Sequence, residues 1–223
     1  MDEAVMGMCR RLTLFTRKEE IEEQLGVEIP DFKASYNIAP SQQVLTIAAN
    51  KAETKAGFLQ WGLIPSWAEN QNIGFELIHA RAETIDTKPT FQRLLSRRRC
   101  LIVVDGYYEW NGEGTPYRVI LNEEEVLTLA GLWDTWIGAS GEEIASCTMI
   151  MTNTNQLLKG LNERMPVILD EGNREAWLDW TISDGELLKR MLTPYESGKM
   201  RVYQVSERVN NPCNDSKELV DRV

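Results

Sequence analysis

The sequence predicts an α+β fold: one domain around a barrel-like, mostly antiparallel or mixed β-sheet with short helices at its periphery. Three observations predict it. Short apolar or β-branched runs recur along the whole chain and are interleaved with only a few short amphipathic stretches. A chain of 223 residues that is 43% hydrophobic and carries seven Trp can bury one substantial core. No repeat, low-complexity segment or linker interrupts it, so residues 9–223 read as a single domain.

The elements run in order along the chain. Residues 12–15 read as a short strand and 18–25 as a charged helix ended by Gly26. Residues 36–40, which include Asn37 and Pro40, read as a loop, and 44–48 as a strand. Residues 58–61 are another strand, followed by Gly62 and a turn at Pro65-Ser66-Trp67. Residues 78–83 are extended. Residues 90–96 suit a short helix with Phe91, Leu94 and Leu95 on one side. Residues 99–104 form a strong buried strand that leads into Gly106-Tyr107-Tyr108-Glu109-Trp110. Two strands, 116–121 and 126–133, lie across a turn, and 146–152 is rich in β-formers. Residues 155–161 read as helical and 166–169 as extended. Helices are expected at 173–178 and 185–192, and a last strand at 203–205. Residues beyond about 206 read as a loosely held tail.

Net charge is -10, which argues against a nonspecific nucleic-acid coat. Yet Lys88, Arg93, Arg97, Arg98 and Arg99 fall within twelve residues that hold no acid. Such a strip can hold a few phosphates or can simply be a solvated helix end. The aliphatic runs are too short to cross a bilayer, and the first residues are acidic, unlike a signal peptide. We therefore expect a cytoplasmic protein with no membrane partner. The four cysteines form no CxxC and there is a single histidine, so no metal and no cofactor are expected. Cys100 and Cys147 read as buried strand residues, and Cys213 as an inert thiol in a polar tail.

Cys9 carries the chemistry of greatest interest. A cysteine at residue one holds an α-amine and a thiol on adjacent carbons. That aminothiol condenses with an aldehyde and closes to a thiazolidine. An internal cysteine cannot, because its nitrogen is an amide. Residues 1–8 precede Cys9 here. They are either a cleaved leader or a mis-assigned start, and the Met8-Cys9 pair, which looks like a native start, favours the second.

Six segments stand out in order: Met8-Cys9-Arg10-Arg11, Tyr36-Asn37-Ile38-Ala39-Pro40-Ser41, residues 61–67, Ile78-His79-Ala80-Arg81-Ala82-Glu83-Thr84, residues 106–110, and Leu161-Asn162-Glu163-Arg164-Met165-Pro166. Together they resemble the SOS response-associated peptidase (SRAP) family, from Met8 to about Leu219. The resemblance implies covalent capture of abasic sites in single-stranded DNA, shielding the lesion in the DNA damage response. Cys9 would form a Schiff base through its amine and a thiazolidine through its thiol. Glu109 matches the family's active-site glutamate, and the flanking Tyr108 and Trp110 are the expected source of its desolvation. Arg11 and Arg81 match arginines that grip phosphates, with Arg164 a lesser candidate. Trp67 and Pro40 offer flat faces on which an unpaired base stacks. Asn37 either holds its loop or touches the DNA backbone. The implied partner is single-stranded DNA containing abasic sites, bound by a monomer that would be nucleoid-associated when on DNA.

Two positions depart from the family. Asparagine is usual where this chain has His79, and histidine where it has Asn162. This reads either as an exchange that keeps one imidazole and one amide in the pocket, with His79 moving protons near working pH, or as a degraded site that still binds DNA while crosslink formation or its reversal slows. Two rival functions remain open at this point: a cysteine-dependent autopeptidase or peptidase, which needs His79 near the Cys9 thiol, and a noncatalytic single-stranded DNA-binding module.

Overall fold

A computed structural model describes residues 9–123 and 126–223. Residues 1–8, expected to be a cleaved leader or a mis-assigned start, lie outside the described residues. The expected α+β barrel is present, built from twelve strands, four short α-helices and several 3-10 turns among the described residues.

The barrel comprises β3 (Gln43–Ala49), β4 (Thr54–Trp61), β6 (Arg99–Val104), β9 (Leu127–Ile137) and β10 (Glu143–Asn153). The order β10-β4-β3-β6-β9 closes because β9 pairs back on β10. Only β4 and β10 run parallel, so the barrel is mixed. Closure removes the free edges that an open sheet would expose. Every residue of β6 is buried, as its Cys-Leu-Ile-Val-Val run predicts.

The long strand β10 is shared. Beyond the barrel it takes β5 (His79–Arg81) in parallel on one side and β11 (Arg164–Pro166) antiparallel on the other. Between β4 and β5 the chain leaves the sheet at Gly62 and returns at Ile78, since Gly62 N–H donates to Cys147 O and Met149 N–H to Ile78 O. The excursion is pinched where two backbones meet. A Cβ on Gly62, whose φ is +126°, would lie 2.6 Å from the carbonyl oxygen of Gly74, so glycine is required there. Trp67, in this excursion, is 59% exposed.

A second sheet has the order β12-β8-β7-β1-β2. It consists of β1 (Arg11–Leu14), β2 (Ser35–Ile38), β7 (Gly106–Trp110), β8 (Pro116–Leu121) and β12 (Met200–Gln204), all antiparallel. The chain passes from barrel to sheet at Asp105. That buried carboxylate accepts from the Thr13 hydroxyl and from the N–H groups of Phe15 and Thr16, and pairs with buried Arg118 at 3.2 Å. A buried charge needs such partners.

Helix α1 (Lys18–Leu25) has the expected bounds and ends at Gly26, left-handed at φ +65°, whose N–H donates to Glu22 O. Helices α2 (Pro89–Leu95), α3 (Glu171–Leu178) and α4 (Gly185–Arg190) pack outside the barrel. No helix among the described residues is long and apolar enough to cross a membrane.

Four expectations fail. The extended segment 78–83 gives way to a 3-10 turn at Ala82–Thr84. Residues 36–38 belong to strand β2 rather than a loop. Residues 155–161 make successive turns rather than a helix. Asn155 Oδ1 accepts from Leu158 N–H, and the short Leu161 and Asn162 to Leu158 O bonds tighten the chain. The segment beyond 206 is not loose. Val209 and Leu219 are buried against Tyr108 in a second apolar cluster.

Candidate functional site

The site forms where β1 and β7 of the second sheet meet β5 and β11 beside β10. Strand β1 pairs with β7 so that Arg11 opposes Tyr108 and Leu12 opposes Tyr107. Carrying that register one residue on sets Arg10 opposite Glu109, which brings Cys9 to the same end of β7.

Cys9 and Glu109 are fully buried. Burial pushes the Glu109 carboxyl up to about 8, against the smaller opposing effects of Asn162 and the Cys9 main chain. Only a donor can stabilise a carboxylate, so the Cys9 group that acts on Glu109 is its N–H. Glu109 Oε2 accepts from Asn162 Nδ2 at 2.9 Å, while Oε1 has no hydrogen-bond partner among the described residues. Burial first, then the Glu109 charge, raise the Cys9 thiol well above its ordinary range. Its sulfur has one weak contact, to Arg11 O at 4.0 Å.

His79 lies on the other side, its ring 6.2 Å from that of Trp61. The residue is half-buried, but both ring nitrogens are covered and lack partners. Burial pushes its pKa down to about 4, with the Arg10 charge adding to the fall and the Cys9 carbonyl opposing it. The expectation of an imidazole titrating near neutral pH is therefore corrected: His79 is neutral there. The Cys9 main chain acts on both His79 and Glu109 without forming a well-aligned hydrogen bond to either.

Cys9, Glu109, His79 and Asn162 thus form one cluster. On β7 the residue that shares Glu109's face is Tyr107. Tyr108 points the other way and donates to Tyr36 O at 2.8 Å, which corrects the expected source of burial. Trp110 is half-buried and its indole donates to Asn210 Oδ1 at 2.7 Å.

The five unpartnered buried atoms Arg10 Nε, His79 Nδ1 and Nε2, Tyr107 OH and Glu109 Oε1 are among the thirteen such atoms found in the described residues. A fold satisfies buried polar groups wherever it can. Their concentration beside Cys9 marks a place built for something other than packing. Tyr107 and Arg10 were not picked out from sequence. Their strand register, which is nonlocal, is what turns them into the pocket.

The expected DNA contacts divide. Arg11 is half-buried and donates to Arg10 O at 2.9 Å. Arg81 is exposed, with no ion pair among the described residues. Arg164 is held by Glu83, with Nη1 3.1 and 3.0 Å from the two carboxylate oxygens. Pro40 is half-buried, and Trp67 exposed. Asn37 is buried and its amide donates to the carbonyls of Val209, Asn211 and Asn214. Of its two expected roles, this geometry uses it to hold the chain. The basic strip is largely committed too. Arg99 donates to three carbonyls, Arg98 lies 4.3 Å over Trp133, and Arg93 reaches Ser66 and Asp134. Lys88 and Arg97 remain exposed.

Comparisons with known proteins agree with this architecture. The abasic site processing protein YoqW of Bacillus subtilis (strain 168) is 40% identical over 222 residues, covering 96% of this chain and 99% of that protein. The abasic site processing protein HMCES of Xenopus tropicalis is 28% identical, covering 85% of this chain and 66% of that protein. A crystal structure of a protein from Bacteroides thetaiotaomicron superposes with a TM-score of 0.86 at 25% identity, over 96% of this chain and all of that one. The sequence profile described as SOS response associated peptidase (SRAP) matches residues 8–212, from the methionine before Cys9 to beyond the pocket's last strand. With that match and a 40% identical relative over nearly its whole length, the chain belongs to the SRAP family.

Proposed function

We propose that this protein processes abasic sites in DNA, and that it does so by covalent capture through Cys9 once residues 1–8 no longer block the amine. The names of its relatives support the substrate class. The observation that carries the mechanism is that Cys9, one hundred residues away in sequence, is buried with Glu109 at the same end of β7 by the pairing of β1 with β7.

The chemistry balances without a cofactor. The open deoxyribose presents an aldehyde. The Cys9 nitrogen bonds to its carbon, and the carbonyl oxygen takes a proton from Glu109, which recovers one from the nitrogen. Departure of that oxygen as water, with the second nitrogen proton, leaves an imine. The thiol adds across the C=N bond, sulfur to carbon and its proton to nitrogen. One aldehyde and one aminothiol give one thiazolidine and one water. Glu109, pushed up to about 8, still carries its proton at neutral pH. Asn162 holds the carboxyl in place through Oε2. His79, neutral at working pH, packs against Cys9 and offers a hydrogen-bonding nitrogen rather than a titrating one.

The substrate is a single strand, since the lesion must be splayed out to reach a buried pocket. Arg11 and Arg81 contact phosphates, Trp67 and Pro40 stack on bases, and the protein acts as a monomer. The rival peptidase reading needs an imidazole bonded to the thiol. The Cys9 sulfur has no such bond, and His79 has no partner among the described residues.

The test uses protein whose first residue is Cys9, incubated with abasic single-stranded DNA and run on a denaturing gel. A heat-stable shifted band is expected. Cys9→Ser keeps the amine and loses the thiol, so its band should require borohydride reduction. An equally heat-stable band from Cys9→Ser without reduction, or none from the parent, sinks the mechanism.

A further inference from the structure

Tyr107 is fully buried, and its hydroxyl has no hydrogen-bond partner among the described residues. Its neighbour Tyr108, equally buried, finds Tyr36 O at 2.8 Å. Buried phenols ordinarily find such a partner. A phenylalanine at 107 would fill the same space without burying an unpaired oxygen, so the hydroxyl is a cost that the fold itself does not recover. Tyr107 and Glu109 are alternate residues of β7 and therefore share a face. Two residues apart on one strand face, Tyr107 and Glu109 are set about 6.5–7 Å apart along β7, and the pairing of β1 with β7 brings Cys9 to the same end of that strand. Glu109 Oε1 is also without a partner, so the two oxygens lie in one pocket without bonding to each other. An oxygen brought between them would satisfy both.

We propose that the Tyr107 hydroxyl donates a hydrogen bond to the aldehyde oxygen of the abasic sugar while the Cys9 nitrogen attacks. This rests on the Cys9 reading above and adds a residue to it. The phenol acts as a donor only and gives up no proton: burial and the two neighbouring charges hold it in the neutral form far above neutral pH. As negative charge gathers on the aldehyde oxygen, the donor strengthens its hold, and Glu109 then supplies the proton.

Tyr107→Phe removes one oxygen atom and nothing else. Its single-turnover rate of crosslinking to abasic single-stranded DNA should fall about 10- to 100-fold, with the pH profile unchanged in shape. The melting temperature should stay level or rise, because an unpaired polar group is gone. Noncovalent affinity, measured for both proteins in a Cys9→Ala background, should be unchanged. A rate within about 2-fold of the parent overturns the role of Tyr107 while leaving Cys9 chemistry intact. A rate loss accompanied by a lower melting temperature and weaker DNA binding also overturns it, because the hydroxyl would then be structural. No crosslink from the parent itself overturns the Cys9 reading and the Tyr107 role together.

Discussion

Glu109 and His79 are driven in opposite directions by one cause, removal from water, because one is charged when deprotonated and the other when protonated. Their effects on stability occupy different pH ranges. Between about 4.5 and about 8 the unfolded chain has ionised Glu109 while the folded one keeps its proton, so the folded state binds more protons and stability falls as pH rises. For His79 the unfolded state binds more protons between about 4 and 6.5, so stability rises with pH there. The two slopes oppose each other up to 6.5, and above it only the Glu109 loss remains. Thermal melts of the parent should therefore decline from pH 6.5 to 8, and Glu109→Gln should remove that decline. A parallel decline in Glu109→Gln would show that other groups carry it. Sequence made Cys9, Glu109, His79 and Asn162 legible because they sit in compositionally odd segments. It did not say which of two adjacent tyrosines faces them. That depends on Leu12 lying opposite Tyr107, a pairing across ninety-five positions.

Strands β5, β10 and β11 set the arginines of the proposed DNA-binding face. Arg81 lies opposite Met151 on one side of β10, and Arg164 opposite Asn153 on the other. Glu83 lies close enough to the end of β5 to hold Arg164, so of these two arginines Arg81 is the one without an ion pair among the described residues. An arginine already bound to a carboxylate exchanges one partner for another when phosphate arrives, whereas a free one gains outright. In a Cys9→Ala background, Arg81→Ala should lower the salt slope of single-strand binding by about 0.7. Arg164→Ala should lower it by less. Fluorescence titrations across a salt series decide it, and an Arg81→Ala slope equal to the parent's removes Arg81 from the interface. Most of these elements were readable from local pattern: the apolar run of β6, or the charged α1 stopped by Gly26. Strand β2 was not, because Asn37 and Pro40 signal a loop and only pairing of Ile38 with Leu12 makes the segment extended. Residues 155–161 misled in the opposite sense: their leucines suggest a helix, but the Asn155 side chain captures the N–H of Leu158, and Gly160 disfavours a further helical turn.

Across the whole molecule, β7 is held from both faces. One face carries Tyr107 and Glu109 into the pocket, and the other carries Tyr108 under the C-terminal segment, where Val205, Val209 and Leu219 are buried. The segment is polar in sequence and read as loose because its anchors lie far away in the chain. Asn37 binds three of its carbonyls, Tyr36 N–H donates to Asp215, and Tyr203 donates to Val220. Asn37→Ala strands several carbonyls at once, two of them only partly buried and able to regain water. The expected cost is about 2–3 kcal/mol, and the C-terminal segment should become the first site cut in limited proteolysis. Because Tyr108 loses its cover when that segment lifts, β7 should loosen and crosslinking should slow along with it, while Tyr107→Phe slows crosslinking without changing the cleavage pattern. An Asn37→Ala protein as resistant to protease as the parent would mean that Val209 and Leu219 hold the segment by burial alone, and that the three amide bonds merely replace ones that water would otherwise make.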